Sequence, residues 1–127
     1  MNQRITPEFI VQLDKKEIFV FGSNLAGMHG GGAAYIAHEK FGAEWGVGVG
    51  RTGQCYAIPT MQGGVETIRP YVDEFIQYAQ QHPDLIFLVT RIGCGIAGFT
   101  DQQIAPLFKL AKDFENVAFP AGWRELM

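Results

Sequence analysis

Apolar positions along the chain fall into short continuous runs separated by stretches with helical spacing. Residues 17–22, Glu-Ile-Phe-Val-Phe-Gly, are β-rich, apolar and ended by glycine, which predicts a buried strand. Residues 85–90, Leu-Ile-Phe-Leu-Val-Thr, are the most apolar stretch and predict a central strand covered on both faces. Two shorter strands are expected at 46–49 and 55–59, joined by Arg51-Thr52-Gly53, whose glycine can take the positive φ of a tight turn. A last strand is expected at Val117–Phe119, ended by Pro120-Ala121-Gly122.

Between these runs the period changes. In residues 31–41, Ala33, Ala37 and Phe41 share one face of a predicted helix. Ile68, Val72, Phe75, Ile76 and Ala79 give the stripe of an amphipathic helix over Ile68–Gln81, with Pro70 in its first turn and His82-Pro83-Asp84 as its stop. A third helix starts near Thr100, where Thr100 and Gln103 have the spacing of a capping box. Its apolar face is Ile104, Leu107, Phe108, Ala111 and Phe114, and Pro106 is expected to kink it. Strands alternating with helices predict one α/β domain over residues 1–127: a three-layer α/β/α arrangement with a mostly parallel sheet.

Composition narrows the partners. At 47% hydrophobic and 18% charged residues, the chain can bury a core. The net charge is −3, and no basic block exceeds Lys15-Lys16, so the electrostatic footprint of a duplex nucleic-acid binder is missing. The cysteines, Cys55 and Cys94, do not make a C-x-x-C pair, and the three histidines lack ligand spacing, so neither a metal nor a cofactor is expected. Without an apolar leader or a run of roughly 18 to 20 apolar residues, no membrane association is expected and the cytoplasm is the expected location.

Twelve of the sixteen glycines lie between Gly22 and Gly64, so they mark local architecture rather than a compositional drift. One glycine-rich loop, Gly22 to Gly32, follows the first strand and runs into a helix. A second, Arg91 to Gly98, follows the central strand and runs into the helix capped at Thr100. With parallel strands both loops lie at the carboxyl edge of the sheet, where open α/β sheets bind ligands. Glycine lets backbone N–H groups approach an anion, and a helix N-terminus adds its unpaired donors. The competing reading is that these glycines serve only tight turns and helix–sheet packing. Neither loop is a P-loop or a strict G-x-G-x-x-G fingerprint.

Gly22-Ser23-Asn24, the triple glycine opening a helix, and Arg91-Ile92-Gly93-Cys94-Gly95 together resemble the macro domain. The likeness is to its branch of terminal ADP-ribose glycohydrolases and ADP-ribose-1″-phosphate-processing proteins. Phe-Gly-Ser-Asn-Leu-Ala-Gly with Tyr-Ala-Ile-Pro-Thr also resembles a family of short bacterial and phage proteins, and the resemblance spans about Ile18 to Phe108. It implies a site for ADP-ribose or an ADP-ribosylated substrate. Asn24 would lie by the distal ribose, Gly30, Gly31, Gly32 and Ala33 along the diphosphate and that ribose, and Ser23 among the ligand-binding residues. Gly93, Cys94, Gly95, Ile96, Ala97 and Gly98 would wrap the phosphates from the other side. The acidic adenine contact of the family has only Asp14 or Glu17 as candidates. The glycohydrolase branch uses an aspartate two residues beyond Gly-Cys-Gly, where this chain has Ala97, and an earlier lysine, where the region Val49-Gly50-Arg51 offers only arginine. That departure argues against a lysyl-adduct mechanism.

The remaining reactive residues each carry two readings. His29, in the first loop, is either a general base on the cleft or a solvated loop residue. Cys94 is either a thiol activated beside a helix start or a small buried residue. Arg91 either pairs with phosphate or holds Asp101. Trp45, Tyr56 and Phe99 either stack a base at the cleft mouth or pack in the core, with Phe99 the first to test. Three functions follow: a binding module, a hydrolase of an ADP-ribose derivative, or a phage-related interaction protein with a vestigial cleft. The missing dyad favours binding over hydrolysis.

Overall fold

The two most apolar runs become adjacent strands in the middle of one sheet. The computed structural model describes residues 4–95 and 97–127. Its strands are β1 (Arg4–Ile5), β2 (Glu17–Ser23), β3 (Gly50–Thr52), β4 (Cys55–Pro59), β5 (Ile86–Val89) and β6 (Val117–Phe119), in the order β1-β6-β5-β2-β4-β3. All neighbours run parallel except β3 and β4, which form an antiparallel hairpin. The helices are α1 (Gly32–Lys40), α2 (Val65–Gln81) and the short α3 (Asp101–Ile104), followed by 3-10 helices at Ala105–Ala111 and Arg124–Leu126.

Alternation along the strands divides the core in two. Ile18, Val20, Ile58, Phe87 and Val89 face α2 and the 3-10 helix, meeting Ile68, Val72, Phe75, Leu107 and Phe108. Phe19, Phe21, Cys55 and Ala57 point to the other face, under Ala37 and Phe41, with Ile10 and Leu13 closing that layer. Helices therefore cover both faces, and the fold is the expected three-layer α/β arrangement. No helix among the described residues is long and apolar enough to cross a membrane.

Four local expectations change. Residues 46–49 are a loop rather than a strand: Gly46 takes φ of +91°, off the pleated conformation. The hairpin strand is Gly50–Thr52, so Arg51 and Thr52 are paired and only Gly53-Gln54 turns. Helix α2 begins at Val65, which puts Pro70 in its second turn instead of its first. There its missing N–H leaves the Glu66 carbonyl without a helical donor. The capping box at Thr100 and Gln103 forms, but Pro106 does more than bend the helix. After one α-helical turn the chain tightens to 3-10 geometry over Ala105–Ala111, with proline at its start.

The fourth change is at the sheet edge, where β1 pairs with β6 although no strand is predicted there. Arg124 holds this edge together. Its guanidinium donates to Arg4 O (2.6 Å), Val117 O (3.1 Å) and Lys112 O (3.2 Å), and lies over the Phe119 ring. Trp123 beside it is completely buried.

Candidate functional site

Strands β2 and β5 are neighbours, yet the chain leaves them toward opposite faces: β2 leads to α1, and β5 leads to α3. Loops that diverge in this way leave a crevice at the carboxyl edge. A cleft of about 470 Å³ lies there. Both glycine loops line it, through Ser23, Asn24, Gly30, Gly31, Gly32 and Ala33 on one side and Arg91, Gly93, Gly95 and Ala97 on the other. Cys94, Gly98 and Phe99 are not on its wall, and Ile96 lies outside the described residues.

The glycines of the first loop, and Gly48 packed against it, do two different jobs. At Gly27 and Gly48 a Cβ would come closer than 3.0 Å to backbone atoms, of Gly46 and Val47 in one case and of Asn24 and Leu25 in the other. These positions are close-packed, and Gly27 also takes φ of +70°. At Gly30, Gly31 and Gly32 a Cβ would meet nothing within 4 Å. Gly31 has extended backbone that any residue adopts, so neither packing nor conformation requires glycine there. Helix α1 starts at this point without a side-chain cap, and its first bond runs from the Tyr35 amide to Gly31 O (3.2 Å). The amides of Gly32, Ala33 and Ala34 thus have no acceptor within the helix.

Polar side chains around the first loop hold the loop itself. Asn24 brackets Met28, donating from Nδ2 to its carbonyl (3.1 Å) and accepting at Oδ1 from its amide (2.9 Å). Ser23 Oγ donates to Gly48 O. His29 is fully buried, off the cleft wall, and its Nε2 donates to both Glu44 O (2.9 Å) and Val47 O (3.1 Å). It is neither a base on the cleft nor a solvated residue, because the 43–49 loop folds over it and accepts its ring N–H. Its Nδ1 has no partner among the described residues, and its ring packs against Phe21, His38 and Trp45.

In the second loop Arg91 reaches Asp101 (2.8 Å) and Ala121 O (3.3 Å) while remaining on the cleft wall. Among the described residues it is the only charged side chain lining the cleft. Asp101 also accepts from the Trp123 indole (2.9 Å). Burial pushes the Asp101 carboxyl up, but the Trp123 and Arg91 hydrogen bonds and the Arg91 charge outweigh it and hold the group below its ordinary range.

Cys94 turns away from the cleft, toward Ile92 O and Asp101 Oδ1, both at 3.5 Å. Burial, with the Asp101 charge behind it, pushes its thiol up to about 11. Burial likewise raises Cys55 to about 12. Both shifts run against an activated thiol at neutral pH. Iodoacetamide at pH 7.5 is expected to leave both cysteines of the folded protein largely unmodified over an hour, with Cys94 labelling faster as the pH approaches 11. Mass spectrometry of the alkylated peptides checks this; rapid labelling of Cys94 at pH 7.5 would contradict it.

Other candidates fall outside the cleft. Phe99 packs beside Gly93 against the core, and Tyr56 meets Phe75 within it. Glu17 opens β2 at the far, amino end of the sheet and accepts from the Asp14 amide, so neither acid reaches the cleft. Arg51 is on the edge hairpin, bonded to Gly53 O and the Tyr78 hydroxyl. Trp45 is on the wall, with Met28, Thr60, Met61 and Thr90, which sequence patterns did not single out. Thr60 and Met61 follow β4, the parallel neighbour of β2, so strand order was the signal that would have found them. Among the described residues no three His, Cys, Asp or Glu side chains gather as a metal site. No family model, curated protein or solved structure matches the chain.

Proposed function

We propose that this cleft binds ADP-ribose or a closely related nucleotide metabolite, free or attached to a protein, in the manner of a macro domain. One observation carries the reading. Gly30, Gly31 and Gly32 have open space where side chains would be, and they stand at the uncapped start of α1 in the same cleft as Arg91. Such a loop brings backbone N–H groups to an anion, and the guanidinium adds a charged fork from the opposite loop. The volume suits a ligand of nucleotide size.

Binding without turnover is the favoured form of this proposal. His29 and Cys94, the groups with nucleophile or base chemistry in the two loops, both point into protein. Ala97 stands on the wall where the glycohydrolase branch would have its aspartate.

Isothermal titration of the folded protein with ADP-ribose, ADP-ribose-1″-phosphate, NAD and ATP tests the proposal. Saturable heat with ADP-ribose is expected, and an ADP-ribosylated protein should emerge unhydrolysed from incubation with the chain. A folded sample giving no heat with any of the four ligands would refute it.

A further inference from the structure

The cleft wall carries few polar side chains, and among the described residues its hydroxyls, its amide and its guanidinium each already hold part of the protein. Ser23 Oγ donates to Gly48 O, Thr60 Oγ1 to Ser23 O and Thr90 Oγ1 to Val20 O. Asn24 is bonded at both ends of its amide to Met28, and Arg91 is paired with Asp101. What stands foremost toward a ligand is the glycine backbone, the outer face of one guanidinium, and an apolar rim; the fixed hydroxyls and Asn24 keep only their leftover lone pairs and one N–H.

Trp45 dominates that rim. It lines the cleft with 54% of its surface exposed, and Met28 and Met61 beside it are comparably open. Exposed as it is, the indole is not loose. His29 and His38 meet it edge to face, with centroids at 6.1 and 5.4 Å. The residues on either side are pinned: Glu44 by Thr52 and His29, Gly46 by the Gly27 carbonyl. A braced aromatic ring stacks a flat group at little entropic cost. Stacking accepts any base, because every base has a π-face.

We infer that the cleft recognises its ligand as a diphosphate joined to a stacked ring and does not read the edge of the base, so adenine and guanine diphosphate sugars bind alike. This rests on the nucleotide reading above and goes beyond it, since selecting adenine requires a donor or acceptor committed to its edge. Trp45 supplies the platform, and the Gly30–Gly32 backbone with Arg91 supplies the anion site.

Titration with ADP-ribose, ADP-glucose, GDP-glucose and adenosine, on the native chain and on Trp45→Ala and Trp45→Phe, tests the inference. ADP-glucose and GDP-glucose, which differ only in the base, should bind within about threefold of each other, and adenosine far more weakly; a selective base edge contact would separate the sugars by tenfold or more. Trp45→Ala should weaken both sugars by about tenfold and equally, while Trp45→Phe retains most of the affinity. Trp123 is buried, so ligand quenching of indole emission should vanish in Trp45→Phe. A tenfold preference for ADP-glucose over GDP-glucose, or unchanged affinity in Trp45→Ala, would overturn the inference and leave the nucleotide site standing. Silence with all four ligands would instead overturn the reading on which it rests.

Discussion

Replacing Gly31 by glutamate is expected to abolish binding of ADP-ribose while leaving the fold and its stability intact. The backbone at Gly31 is extended, and a Cβ there meets nothing within 4 Å, so the substitution has room and no conformational penalty. The new side chain projects into the space assigned to the phosphates and puts a carboxylate against them. Like charges brought together in a binding site cost several kcal/mol, so an affinity loss of about a hundredfold or more is expected. Gly31→Ala separates size from charge and should cost far less. Titration calorimetry beside a thermal melt reads both effects. A Gly31→Glu protein with native melting and native affinity would show that the phosphates lie elsewhere in the cleft, if they bind at all.

Alanine at Gly48 should do the reverse, damaging the fold first. Its Cβ would fall on the Asn24 carbonyl and the Leu25 backbone, closer than the 3.0 Å that real contacts respect. Backbone cannot rotate away as a side-chain end does, so the 43–49 loop must lift from the Asn24 turn. Overpacking of this kind costs about 3 kcal/mol, and for a domain of this size that lowers the melting temperature by roughly 10 °C. Gly30→Ala, the same chemical change in open space, should stay within about 0.5 kcal/mol of the native protein. Equal melting temperatures for the two variants would show that Gly48 is not the packing position described. The lifted loop also carries Trp45, so ligand affinity should fall together with stability in Gly48→Ala, whereas Trp45→Phe should keep the native stability and most of the affinity.

That contrast explains what the sequence could and could not reveal. Glycines at 27, 30, 31, 32, 46 and 48 look equivalent in the chain, yet four are packed or take positive φ and two, Gly30 and Gly31, do neither. Their roles depend on what faces the missing side chain, which is a tertiary property. Chemistry confined to neighbours was legible: the runs behind β2 and β5, the stripe of α2, and the box at Thr100 and Gln103 all formed. The convergence of two loops on one sheet edge was legible too, because parallel strands require it. His29 was not, since its partners are carbonyl oxygens of residues 44 and 47, and a carbonyl leaves no trace in a sequence. Strand β1 escaped for a related reason. Two residues carry no periodicity, and their pairing is decided by a partner more than a hundred positions away.

The Arg124 clasp gives that distance a kinetic meaning. It joins residue 124 to the carbonyl of residue 4, a separation of 120 positions. Strands β2, β4 and β5 and the helices between them all emerge from the ribosome before either half of the clasp can be used. Strand β1 therefore waits for a turn made 120 residues later. Neither partner of the pairing is near the other in sequence, so nothing local favours it early and edge strand β1 should be the last piece to settle. Until it does, β6 stands as an open edge on a nascent chain, where another strand can pair with it.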